Sequence, residues 1–73
     1  MEIDEIWREL CEKAIGHPEL YWYVDKGGGN FAATGDFIIG KSAEYLYVVK
    51  PTMLEAVTAL RDRVNAVQAA RVA

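Results

Sequence analysis

Apolar residues recur at three- and four-residue steps near the start of the chain, at Ile3, Ile6, Trp7, Leu10 and Ala14. That spacing gathers them into one stripe and predicts an amphipathic α-helix. Glu2, Asp4 and Glu5 fall in its first turn, where acids complement the positive end of the helix dipole. Gly16-His17-Pro18 then predicts a stop, with Gly16 suited to a left-handed C-cap and Pro18 unable to continue the helix. Beyond Pro18 the period changes from 3.6 to 2. Leu20 to Val24 reads LYWYV, aromatic and β-branched, and predicts a strand. DKGGGN, from Asp25 to Asn30, tolerates positive φ and predicts a hairpin loop. Phe31 to Ile39 returns as a strand, with Gly35-Asp36 marking a bulge or a break into two short strands. A turn at GKSAE leads into Tyr45 to Val49, YLYVV, the last strand.

Thr52 and Glu55 make a T-x-x-E capping box, which predicts the start of a second helix. Met53, Val57, Leu60, Val64 and Val67 follow at steps of four and three and form its apolar seam. The expected fold is therefore α+β in the order α-β-β-β-α. It has an antiparallel sheet of three or four strands, with the N- and C-terminal helices on one face. Alternation along the strands sorts the side chains. Leu20, Trp22, Val24, Leu46 and Val48 are expected beneath the helices, which leaves Tyr21, Tyr23, Tyr45 and Tyr47 together on the open face.

Composition narrows the class. A chain of 73 residues forms one domain, and 52% hydrophobic with 26% charged residues excludes the disordered class. A domain this size buries only roughly 60% of its unfolded surface, so self-association as a homodimer is expected to assist it. The single cysteine, Cys11, excludes an internal disulfide and any cysteine-based zinc site, and no basic-then-apolar leader or membrane span is visible. These features predict a cytoplasmic protein. The net charge of −3 is unevenly spread: residues 1–25 hold seven acids and two bases, residues 26–73 four acids and six bases. An acidic half argues against direct binding of nucleic acid.

One stretch spells a named chemistry. GDFIIGKS, Gly35 to Ser42, matches the phosphate-loop pattern G-x-x-x-x-G-K-[ST]. A working phosphate loop must open a helix whose N-terminus faces the phosphates, and here the next residues, AEYLYVVKP, alternate as a strand. The expected reading is strand followed by turn. His17 has no nucleophile or acid fixed beside it by spacing, and the chain has one serine, Ser42. No ligand spacing points to a metal. A non-enzymatic protein without catalytic residues, cofactor or metal is expected.

Two surfaces carry the functional expectation. Glu2, Glu5, Glu9 and Glu12 step by three and four along the first helix, opposite its apolar stripe. Like charges at that spacing cost a helix about 0.2–0.5 kcal/mol per pair, so local stability does not account for them, and a basic partner would. The tyrosine face offers apolar area with polar tips and suits a protein interface. An alternative is a small-ligand or nucleotide site, in which the amides of Lys26, Gly27, Gly28, Gly29 and Asn30 cradle an anion beside the tyrosines.

Helix, three antiparallel strands and helix resemble the order of double-stranded-RNA-binding domains. The second helix here opens KPTMLEAV, with one lysine and a glutamate where that family has a basic cluster. Leu20 to Leu60, ending TMLEAVTAL, resembles the strand-then-capped-helix unit of HicB-type antitoxins. In size, acidity and lack of catalytic residues the whole chain resembles the small phage proteins that block bacterial defence, anti-CRISPR proteins among them. That resemblance implies a phage-encoded inhibitor in the host cytoplasm, occupying a surface of a nucleic-acid-binding host protein.

Overall fold

The change of period from 3.6 to 2 and back produces five elements in the computed structural model: α1 (Glu2–Lys13), β1 (Glu19–Asp25), β2 (Gly28–Ile39), β3 (Ser42–Lys50) and α2 (Met53–Val72). The structure describes residues 2–72, and the side chains of residues 2, 25, 71 and 72 lie outside that description. The fold is α+β, with a three-stranded antiparallel sheet in the order β1-β2-β3.

Turn chemistry fixes the register. Gly40 has φ 66° at the first of two turn residues, Gly40-Lys41, the pattern of a type II′ turn. The turn sets Ile39 opposite Ser42, and the pairing then runs without interruption to Phe31 opposite Lys50. The other hairpin turns on Lys26-Gly27, with Gly28 at φ 110°, and pairs Asp25 with Gly28 through to Glu19 with Thr34. This corrects two expectations. The loop is shorter than DKGGGN, because Gly28 to Asn30 already belong to β2. Gly35-Asp36 is neither bulge nor break, since both residues keep the register with β3.

The helix face of β2 carries Phe31, Ala33, Gly35, Phe37 and Ile39. Its small central residues let α2 approach closely, and Ala33 and Ala56 are both fully buried. Ile6 and Leu10 of α1, Phe37 and Ile39 of β2, Leu46 of β3, and Val57, Leu60 and Val64 of α2 complete one core. Gly35 serves that core directly. A Cβ there would sit 3.0 Å from two atoms of the Phe37 ring and 3.3 Å from Cβ of Pro18, so the missing methyl makes room for the ring.

The capping signal of α2 operates with an adjustment, whereas Gly16 does not cap α1 as expected. At α2 the Thr52 hydroxyl accepts from the Glu55 N–H (3.1 Å), as a cap should. The Glu55 carboxylate, however, accepts from the Thr52 hydroxyl (3.0 Å) rather than from the backbone. Gly16 takes φ 76°, but α1 ends at Lys13, two residues before it could act as the left-handed cap. In between, Ala14 bridges Phe37 and the Ile15 N–H donates to the Asp36 carbonyl (2.8 Å). The chain thus covers the edge of β2 beyond the end of β1. Among the described residues no helix is long and apolar enough to cross a membrane.

The expected helix-facing set divides. Leu46 is buried, and Leu20 and Val48 pack against the core. Trp22 and Val24 do not meet the helices: they are 59% and 62% exposed. α2 covers β2 and β3 and α1 packs on α2, while β1 packs extensively against β2 alone. Met53, the first residue of the α2 seam, is also exposed.

Candidate functional site

All four tyrosines lie on the sheet face away from the helices, as alternation predicts. Their positions follow from the register. Tyr21 stands opposite Ala32, which in turn stands opposite Val49, and Tyr47 stands opposite Thr34, which in turn stands opposite Glu19. Small residues on the central strand let long side chains from both outer strands lean inward. Ala32 is fully buried and Thr34 is 6% exposed, although no helix covers this side. The side chains of Tyr21 and Tyr47 hydrogen-bond each other across β2. Tyr21 and Tyr23 also pack as tilted rings, with centroids 6.3 Å apart at 45°, a spacing favoured by aromatic pairs. Partial desolvation, followed by the charge and hydrogen bond of Tyr47, pushes the Tyr21 phenol above its ordinary 10, with Tyr45 and Glu19 adding to the effect.

Two acids that the sequence reading did not single out belong to this face. Glu19 shares the row of Thr34 and Tyr47, and Asp36 stands opposite Tyr45. Both are exposed. The available signal was the two-residue Gly40-Lys41 turn, which forces Asp36 opposite Tyr45 once its length is known. No lysine or arginine occupies a strand position on this face. Ile38, Tyr45 and Tyr47 leave 60%, 63% and 48% of their surfaces in solvent, so the face is apolar, aromatic and anionic together.

The acidic stripe of α1 is thinner than its spacing implies. Glu5 and Glu12 are exposed, but Glu9 is engaged by Lys13 (3.2 Å), whose ammonium also donates to Asn65 of α2 (2.9 Å). The side chain of Glu2 lies outside the described residues. The stripe and the tyrosines also point away from each other, with the sheet between them.

The glycine-rich segment forms a turn at Lys26-Gly27 and a paired strand from Gly28 to Asn30. Gly29 lies beneath the Trp22 indole, where an added Cβ would meet Nε1 at 2.7 Å. Gly40, Lys41 and Ser42 of the phosphate-loop match form the β2–β3 turn and the first residue of β3, as the sequence predicts. Cys11, His17 and Ser42 lie on α1, on the α1–β1 connection and at the start of β3. A shallow hollow of about 400 Å³ is lined by Lys50, Leu54, Glu55, Thr58, Ala59 and Asp62 at the N-terminal half of α2. Comparison with protein-family models, with curated proteins and with solved structures found no match to this chain.

Proposed function

We propose that this chain is a non-enzymatic binding domain whose open sheet face docks on a cationic surface of another protein. The observation that supports this is the co-location of exposed aromatic rings with Glu19 and Asp36, on a face without basic strand residues. A guanidinium can stack on a tyrosine ring while a neighbouring carboxylate takes its N–H groups, and the Asp36–Tyr45 cross-strand pair offers both. Lysine satisfies the charge but not the stacked, planar geometry, so arginine is the preferred contact. Nucleic acid is disfavoured at the same place, because two carboxylates would face its phosphates.

The α1 stripe acts at a distance in this reading. Glu5 and Glu12 add to the negative field that speeds encounter with a basic partner, without entering the contact. Arginine-rich surfaces are what nucleic-acid-binding proteins present to their ligands. Occupying one would exclude its nucleic acid, which is how a phage-type, anti-CRISPR-like inhibitor would work in a host cytoplasm.

The test is binding of a short arginine-rich peptide, followed by calorimetry beside a lysine peptide of equal length and charge. The arginine peptide is expected to bind about ten-fold more tightly. Asp36→Lys and Tyr45→Ala should each remove most of that preference. Equal affinity for both peptides, or a preference that survives both substitutions, would refute the proposal.

A further inference from the structure

The outer edge of β1 is the least protected part of the molecule. Among the described residues it is a sheet edge with no neighbouring strand on its outer side. Edge strands are ordinarily guarded by charges, proline, bulges or a covering element. From Leu20 to Val24 the strand has no charge and no proline, and its pairing with β2 is regular; Leu20 packs against the core, but Trp22 and Val24 do not meet the helices. Trp22 and Val24 are 59% and 62% exposed on its helix side, and Tyr21 is 43% exposed on the other. The opposite edge, β3, is better defended. Its Leu46 and Val48 pack into the core, Glu44 interrupts its run, and Lys50-Pro51 closes it.

We infer that β1 pairs antiparallel with β1 of a second copy, joining two sheets into one of six strands. The strand is complementary to itself. A two-fold axis perpendicular to the sheet and passing beside Trp22 sets Trp22 of one copy against Trp22 of the other, and Val24 against the other copy's Leu20, on the helix side. Tyr21 of each copy then meets Tyr23 of the other on the open side. All helices then share one face, and the two open faces form one surface bearing eight tyrosines. A foreign strand would satisfy the backbone equally well, but only a second copy brings this matched set of side chains.

Area sets the strength. At roughly 150–250 Å² per aromatic side chain, the exposed parts of Tyr21 and Trp22 with Val24 supply roughly 300 Å² per copy. Two copies, with the paired backbone, bury on the order of 800 Å², below the roughly 1,000 Å² of a stable interface. The dimer is therefore reversible and concentration-dependent.

Sedimentation velocity of the whole chain, from low micromolar to several hundred micromolar, reads this directly. Monomer should give way to dimer across that range. Val24→Lys and Trp22→Lys, both at exposed positions and checked for native circular dichroism, should each move the midpoint upward by about ten-fold or more. Ile38→Lys, on the open face of β2, should leave it unmoved. A monomer at every concentration overturns the inference. So does a dimer indifferent to the β1 substitutions, or one that Ile38→Lys disrupts as strongly, since that dimer would pair through the sheet face.

Discussion

Two glycines, substituted in the same way, should give opposite outcomes. At Gly29 an added Cβ would meet the Trp22 indole at 2.7 and 2.9 Å, while at Gly35 it would meet the Phe37 ring at 3.0 Å. Judged by distance, Gly29→Ala is the worse clash. The neighbours decide otherwise. Trp22 is 59% exposed and can swing its ring into water, whereas Phe37 is fully buried against Pro18 and the helix layer. Overpacking a closed core costs about 1–3 kcal/mol. Neither glycine has a positive φ, so alanine regains about 0.4–1 kcal/mol by restricting the unfolded chain. The net loss for Gly35→Ala is centred on about 1.3 kcal/mol, within a span of about 0–2.6, and Gly29→Ala should lie within about 0.5 kcal/mol of the parent protein. Urea denaturation measures both, and a thermal melt should show a fall of about 4–8 °C for each kcal/mol lost in a domain of this size. If Gly29→Ala proved as costly as Gly35→Ala, or Gly35→Ala were neutral, relaxation of the neighbour would not be the controlling factor.

Other consequences are equally specific. Because the Tyr21 phenol is held above its ordinary 10 in the folded state, the unfolded chain loses that proton first as pH rises. Its stabilising contribution is complete below pH 10 and is lost as pH climbs toward the folded value. Stability measured between pH 8 and about 11.5 should fall, and Tyr21→Phe should flatten the fall. Thr52→Ala removes the α2 cap and should cost about 0.5–2 kcal/mol, with Thr52→Ser restoring most of it. Lys13→Met breaks the links to Glu9 and Asn65 and should cost no more than about 1 kcal/mol, a difference that shrinks in high salt.

Local physics made the elements legible, whereas the extent of the layers did not. The periodic apolar residues of α1, the alternation of LYWYV and YLYVV, and the Thr52–Glu55 cap each depend on a few neighbours in sequence, and each predicts its element. The failures concern what covers what. Trp22 and Val24 alternate as core residues do, yet the helix layer stops at Leu20 and leaves them exposed, and only the placement of α1 and α2 reveals that. Gly35-Asp36 resembles a break because glycine weakens strands. The reason for Gly35 is the ring of Phe37, two residues on and folded back over it. At the candidate site, parity alone placed the four tyrosines on one face. Finding Glu19 and Asp36 beside them required the register, and finding the Tyr21–Tyr47 hydrogen bond required knowing that Ala32 and Thr34 leave space between them.

The proposed role of the open face is tested most directly by an amide chemical-shift titration with the arginine-rich peptide. Perturbations should concentrate on residues 19–23, 30–36 and 45–49, with the outer face of α1 nearly silent, and should be lost in Asp36→Lys. Shifts centred on Glu5 and Glu12 of α1 would contradict it, as would an open face that does not respond.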